Sequence, residues 1–171
     1  RGYAVLATGG GGPLHAAALA RKLGAKRVIC PPSAGVASAL GLIMAPARID
    51  RVATVGFRLE TGDLCGLEAE FRRLETEALA LVADTGVETA GATVARLADG
   101  RFVGQGFDLV IPLPSGPFDQ GDASATRQRL ADAFERSYRE KFARTPPKVA
   151  IEFVSVRVSV TAPVAETAVV S

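Results

Sequence analysis

Tryptophan is absent from this 171-residue chain, histidine and methionine occur once each, cysteine occurs twice, and aromatic residues make up only 6%. Each scarcity excludes something. A single histidine, His15, does not supply a His-based metal site. Cys30 lies in an apolar strand-like run and Cys65 near a helix start; neither belongs to a CxxC or a Cys/His pair, so both are expected to be unpaired structural thiols in a reducing compartment. Its 20 basic residues are scattered among 18 acidic ones without forming a block, for a formal net charge of +2. With so few aromatics, that gives no case for nucleic acid, whose binding uses basic stripes with interleaved stacking residues. No run reaches the roughly 18 consecutive apolar residues of a membrane span, and no signal-peptide pattern opens the chain. A cytoplasmic protein with no nucleic-acid or membrane partner is expected.

What is present is enough for a core: 48% of residues are hydrophobic and 22% charged, a composition that folds rather than stays disordered. The chain opens Arg1-Gly2-Tyr3-Ala4-Val5-Leu6-Ala7, without an initiator methionine and already strand-like, which leads to the expectation of a piece of a longer protein.

Tyr3 to Ala7 has the length and apolarity of a strand. Gly9 to Gly12 follow it, and Leu14 to Leu23 reads as a helix with Pro13 at its first position and Gly24 as its C-cap. Arg27 to Cys30 is a second short strand, stopped by Pro31-Pro32. A helix from about Val36 to Met44 follows, whose Ala37, Ser38, Ala39 and Gly41 allow another backbone to come close. Residues 1–46 are thus a partial α/β layer, β-α-β-α, with too few strands for a sheet of its own. Its apolar Tyr3 to Leu6 run and second helix are expected to expose surface, and the chain either to self-associate or to lean this segment on the second domain.

Pro46 marks a change. Ile49 to Leu59 reads as a strand. Leu64, Leu67, Phe71, Leu74, Ala78 and Leu81 recur at helical spacing, with Glu68, Glu70, Arg72, Arg73, Glu75 and Glu77 on the remaining, solvated face. Thr89 to Ala98 and Phe102 to Leu113 flank Asp99-Gly100-Arg101, a hairpin signal, and Val103, Phe107, Leu109, Ile111 and Leu113 alternate onto one face. After a turn-rich Pro114–Gly121 loop, Asp122 or Ser124 caps a helix lined by Leu130, Phe134, Tyr138 and Phe142 and ended by Pro146-Pro147. In the closing strand, Val149 to Val160, Val154, Val156, Val158 and Val160 share one face and Ser155, Arg157 and Ser159 the other.

The resulting fold class is α+β. A ferredoxin-like βαββαβ domain (47–163) follows the β-α-β-α segment (1–46) and precedes a frayed tail (164–171).

The chemistry is sparse. Backbone N–H groups at a glycine-rich helix start bind phosphate well, but the run misses both nucleotide fingerprints. Gly12 is followed by Pro13-Leu14 rather than Lys-Ser/Thr, and His15 stands where GxGxxG needs its third glycine. Gly9, Gly10, Gly11 and Gly12 therefore remain open between a phosphate contact and a sharp strand-to-helix turn. His15 is open between a ligand contact and a packing hydrogen bond. Gln105, between Gly104 and Gly106, reads first as an amide pinning a local turn or a domain contact, and second as a ligand contact. No nucleophile–base set and no paired carboxylates are legible; Asp50, Glu60, Asp63 and Asp108 stand alone. No catalytic or metal-binding residue is assigned.

Four stretches carry a resemblance: GGGGPLHAAALARKLGAKRVICPPSAGVASALGL (Gly9 to Leu42), VGQGFDL (Val103 to Leu109), FERSYREKF (Phe134 to Phe142) and IEFVSVRVSV (Ile151 to Val160). Together they resemble the C-terminal part of the ATP-dependent hydantoinase/5-oxoprolinase family, A-type (N-methylhydantoinase A-like) subunit, related also to acetone and acetophenone carboxylase subunits. Gly11 replaces the family's usual alanine, Phe142-Ala143 its Tyr-Gly, and Asp108 its glutamate. The resemblance implies that residues 1–46 are the C-terminal edge of an actin/sugar-kinase/Hsp70-like ATPase core. It places Gly9, Gly10, Gly11, Gly12 and His15 at the border of the nucleotide, and the phosphate hairpins and Mg ligands outside this stretch. It further implies a parent hydrolase using ATP and Mg²⁺ to open a small cyclic amide, with a B-type partner subunit or a homo-oligomer. In that reading this stretch alone is inactive and binds no cofactor. The alternatives are an assembly module or part of an acetone/acetophenone carboxylase-type subunit.

Overall fold

Both strands of the first segment form where their apolar runs predict, as β1 (Ala4–Leu6) and β2 (Arg27–Ile29), and they pair in parallel with Ala4 opposite Arg27 and Leu6 opposite Ile29. The computed structural model describes residues 2–86, 89–143 and 149–163; the Pro146-Pro147 helix stop and the 164–171 tail lie outside the described residues. Between the strands runs α1 (Gly12–Leu23), with Pro13 at its second position, ended by Gly24 in the left-handed conformation (φ 68°) that glycine adopts without a Cβ clash. A single 3₁₀ turn (Ala34–Val36) leads into α2 (Ala37–Met44).

The chain divides into two compact units, the first closing at Ala45 and the second spanning Pro46–Pro163. Among the described residues, the first has an interior of small side chains, Ala7, Ala16, Ala20 and Ala34. Two strands of three residues cover little, so Tyr3, Leu6, Leu14, Leu42 and Ile43 are exposed, each by more than 60%. That agrees with the exposed apolar surface expected of this segment.

The second unit contains β3 (Arg48–Arg58), α3 (Leu64–Asp84), β4 (Thr93–Phe102), β5 (Leu109–Pro112), α4 (Ala123–Phe142) and β6 (Ile151–Thr161). This is the expected β-α-β-β-α-β element sequence. The sheet order is β3-β6-β4-β5 with every neighbouring pair antiparallel. Hence β3 and β4 run parallel to each other with β6, the last strand of the unit, between them; a ferredoxin-like sheet puts the third strand of the unit, here β5, in that place, so the expected element sequence forms but the ferredoxin-like strand order does not. Asp63 caps α3 by accepting from Cys65 N (2.9 Å) and Gly66 N (3.1 Å), and Asp122 caps α4 by accepting from Ser124 N (2.9 Å). Phe71, Leu74, Ile111, Phe118, Leu130, Phe134, Phe153, Val156, Val158 and Val160 form the core.

Four further expectations need correction. Asp99-Gly100-Arg101 is not a hairpin turn: β4 runs straight through it, and the chain reverses at Val103–Asp108, where Gly104 has φ +85°. Gly100 is a packing glycine, since a Cβ there would stand 2.5 Å from Ile111 Cδ1 and 2.9 Å from Phe153 Cδ1. Val103 and Phe107 consequently lie in the turn, leaving Leu109 and Ile111 as the buried pair on β5.

In β6 the alternation slips at Val154. Val156, Val158 and Val160 are buried as expected, but Ile151 and Phe153 take the inward places below them because a bulge interrupts the register with both neighbours. On α3, Val82 rather than Leu81 completes the buried stripe, four residues after Ala78. Finally, Glu68 is not on a solvated face; it is 1% exposed.

Candidate functional site

The glycine run leaves the carboxyl end of β1. Ala7 N–H donates to Ile29 O (2.8 Å) and Gly9 N–H to Ala34 O (2.8 Å), so the loops following β1 and β2 are tied together at the carboxyl edge of the parallel pair. Parallel α/β layers bind ligands at that edge. Gly9 has φ +88°, a conformation that only glycine adopts readily. Gly10, Gly11 and Gly12 have no such requirement, and a Cβ on any of them would meet nothing within 4 Å.

Gly11 is the N-cap of α1 with no side-chain cap, and no acidic residue occupies the first turn. Helix geometry leaves the N–H groups of Gly11, Gly12 and Leu14 without carbonyl partners inside the helix, while Pro13 has none to offer. Three donors at the positive end of a helix dipole, with no competing carboxylate, form an arrangement suited to an anionic oxygen. His15 is exposed and lies one turn beyond Gly11 on the same helix face. The five residues singled out in the sequence therefore stand together.

Sequence reasoning passed over Ser33, in the facing loop after β2. It has φ 59°, an uncommon backbone region for a non-glycine residue, immediately before the 3₁₀ turn whose Ala34 carbonyl receives Gly9. Its signal in the sequence is only the Pro31-Pro32-Ser33 stop behind a strand.

The same edge does not fit a divalent cation. No Asp or Glu precedes Asp50, and hard cations take carboxylate ligands. Among the described residues, no group of three or more His, Cys, Asp or Glu side chains could hold a metal ion.

In the second unit, Gln105 behaves as a turn amide. Its Oε1 accepts from Phe102 N (3.3 Å) and its own N–H donates to Phe102 O (2.9 Å), while Nε2 is buried without a partner among the described residues.

The buried charge is Glu68. Arg96 donates to it twice, Nη1 to Oε2 (2.8 Å) and Nη2 to Oε1 (3.2 Å); Arg72 Nε donates to Oε1 (3.0 Å), and Phe118 N–H to Oε2 (3.0 Å). Burial pushes the Glu68 carboxyl up, but the hydrogen bonds from Arg96, Phe118 and Arg72 outweigh it and hold the group below its ordinary range. Arg96 also bonds Glu75 (3.0 Å) and lies over the Phe71 ring at 5.1 Å. Glu68, Arg72, Glu75 and Arg96 line an open groove of about 840 Å³ with Pro112 and Pro117. Because its charges answer one another, the groove floor is a structural staple.

Residues 1–51 match the family model described as hydantoinase/oxoprolinase. Over 160 residues the chain is 31% identical to the uncharacterized protein MJ0964 of Methanocaldococcus jannaschii, covering 94% of this chain and 22% of that protein. It is 26% identical over 165 residues to the caprolactamase subunit alpha of Pseudomonas jessenii, covering 95% and 23%. A nucleotide-free acetone carboxylase structure superposes with a TM-score of 0.74 at 25% identity, covering 94% of this chain and 24% of that one. The ATP-dependent caprolactamase structure from Pseudomonas jessenii gives 0.68 at 25% identity, covering 93% and 23%. The chain thus spans less than a quarter of the length of these relatives. No helix among the described residues is long and apolar enough to cross a membrane.

Proposed function

Since the chain belongs to the hydantoinase/oxoprolinase family, we propose that it is the C-terminal part of an A-type subunit of a cytoplasmic ATP-dependent cyclic-amide hydrolase. In this reading residues 1–46 are one edge of an ATPase core and 47–163 an accessory α+β domain. The observation that carries it is the donor set at the head of α1, free of carboxylates, in the stretch that the family model matches. The N–H groups of Gly11, Gly12 and Leu14 hold an ATP phosphate, Gly10 and Gly12 allow it to approach the backbone, and His15 stands beside it. Bound ATP supplies a phosphoryl group that activates the amide carbonyl oxygen. The carboxylates that hold Mg²⁺ come from the rest of the parent protein, because this edge has none. A small cyclic amide is the substrate, a B-type subunit or further copies are the partners, and the chain alone is inactive because it contributes a single wall.

A second reading, a carboxylase-type subunit, is favoured by one observation: the acetone carboxylase chain superposes at a TM-score of 0.74 against 0.68 for caprolactamase. The two separate in one assay. The full-length parent with its partner subunit is incubated with Mg·ATP and either lactams, hydantoins and 5-oxoproline, or ketones plus bicarbonate. Amide-dependent ADP release supports the hydrolase; ketone- and bicarbonate-dependent release replaces it with the carboxylase. Gly10→Val with Gly12→Val abolishes saturable Mg·ATP binding in either case, and retained binding refutes the nucleotide edge.

A further inference from the structure

The loops after β1 and β2 meet at one hydrogen bond, from Gly9 N–H to the Ala34 carbonyl (2.8 Å). The peptides around that carbonyl are themselves held. Ala34 N–H donates to Pro31 O (3.1 Å), closing a four-residue turn over Pro31-Pro32-Ser33-Ala34, and Val36 N–H donates to Ser33 O (2.9 Å), opening the 3₁₀ turn. Pro32 occupies the second place of the four-residue turn, where its ring fixes a negative φ, and Ser33 at the third place has φ 59° and ψ 25°. A negative φ followed by a positive one makes this a type II turn, whose third place belongs by preference to glycine. Serine there carries backbone strain, and its hydroxyl makes no capping bond to the 3₁₀ turn that would offset it. Ala34 is buried, so its side chain seats the same peptide.

Glycine loses more conformational freedom on ordering than any other residue, so four in a row are unfavourable to fix around a ligand. A bond already made within the chain lowers that penalty before a ligand arrives. Only Gly10 separates Gly9 from Gly11, the N-cap of α1, and Gly9 N–H is engaged by Ala34. One anchored peptide therefore fixes where the head of α1, with the N–H groups of Gly11, Gly12 and Leu14, stands relative to the strands. Each donor and acceptor in this relay belongs to the chain itself, so the relay does not depend on what the rest of the parent protein lays against the segment.

Resting on the reading that this edge holds an ATP phosphate, we infer that Ser33 is a positioning residue for that site. Its left-handed backbone aims the Ala34 carbonyl at Gly9 and so preorganises the glycine run for the nucleotide. The conformation does this, and the hydroxyl does not.

Two substitutions in the full-length parent separate conformation from hydroxyl. Ser33→Thr keeps the hydroxyl but puts a β-branched side chain at a positive φ, which such residues strongly avoid. Ser33→Gly removes the hydroxyl and takes the same turn without strain. Calorimetric titration with Mg·ATP is expected to show binding weakened about three- to tenfold in Ser33→Thr, the scale of one hydrogen bond, and as tight as wild type or tighter in Ser33→Gly. In a Gly9→Ala background, which disturbs the other end of the tie, the Ser33→Thr loss is expected to shrink. Thermal unfolding of the same proteins guards against a purely structural effect. A Ser33→Thr protein with a lowered melting temperature and wild-type affinity overturns the inference. Weaker binding by Ser33→Gly overturns it as well, because the hydroxyl would then touch the nucleotide. Losses that simply add between Gly9→Ala and Ser33→Thr overturn the relay. A wild-type parent without saturable Mg·ATP binding overturns the nucleotide edge itself, a result read before any variant is made.

Discussion

Arg96 on β4 and Glu68 on α3 meet in a two-point ion pair whose carboxylate is only 2% and whose guanidinium only 13% exposed. The pair joins the helix to the sheet and, through Phe118 N–H, fixes the loop before α4. A buried pair of this kind is costly to break and much less costly to replace, because the penalty of a broken pair is the charge left behind. Glu68→Ala is therefore expected to destabilise the protein by ~3 kcal/mol, the low end of the range for buried pairs because Glu75 stays on Arg96. Glu68→Leu combined with Arg96→Met is expected to recover most of that loss. Urea unfolding midpoints check both. A double variant as unstable as the single one would sink the desolvation account.

The same pair sets an acid limit. Burial raises the Glu68 pKa, and the bonds from Arg96, Phe118 and Arg72 lower it further than burial lifts it, so the folded value lies below the 4.5 of a free glutamate. A depressed carboxylate contributes stability that is fully present above its unfolded pKa and is lost as pH falls through the folded one. Wild-type stability is expected to decline as pH falls below about 4.5, and Glu68→Gln to be less stable at neutral pH with a flatter decline over that window. Melting temperatures from pH 7 down to pH 3 measure it; parallel curves for the two proteins would assign the acid loss to other groups.

Gly100 offers a test of the strand that replaced the expected hairpin. If β4 runs through Asp99-Gly100-Arg101, Gly100→Ala forces its methyl group against Ile111 and Phe153 and costs about 1–3 kcal/mol, the range of overpacking. Were the residue at a turn tip with φ > 0, the same change would cost about 1 kcal/mol through backbone strain, and shortening Ile111 would not relieve it. Pairing Gly100→Ala with Ile111→Val, which shortens the colliding side chain, is expected to return part of the loss.

These positions also mark how far the sequence could be read. Helix and strand periods were legible because Leu64, Leu67, Phe71 and Leu74, or Val156, Val158 and Val160, repeat with one period within one element. Asp-Gly misled because a glycine needed for close packing and a glycine needed for a turn are written alike; the difference lies in Ile111 and Phe153, residues far along the chain. Glu68 misled for the same reason. A glutamate at a helical position is solvated unless a cation from another element covers it, and Arg96 is 28 residues away. The glycine donors were legible as a segment because they are contiguous, whereas Ser33 joins them only through the parallel pairing of β1 and β2.

The glycine run itself separates conformation from contact. Gly9 holds φ +88° and an intrachain hydrogen bond to Ala34, so Gly9→Ala is expected to cost about 1 kcal/mol through backbone strain alone. Gly12 begins α1 with open space at its Cβ position, so Gly12→Ala, which favours the helix, is expected to leave stability unchanged or raise it slightly. Among the described residues nothing demands a glycine at position 12, so a binding loss on enlarging it reports what approaches from outside. Gly12→Val in the full-length parent is accordingly expected to keep the wild-type melting temperature to within a few degrees while weakening Mg·ATP at least about tenfold, because side-chain bulk stands where a phosphate meets the backbone N–H groups. Calorimetric titration with Mg·ATP beside thermal unfolding reads both quantities. A Gly12→Val protein that binds Mg·ATP as tightly as wild type would make the run a turn and nothing more.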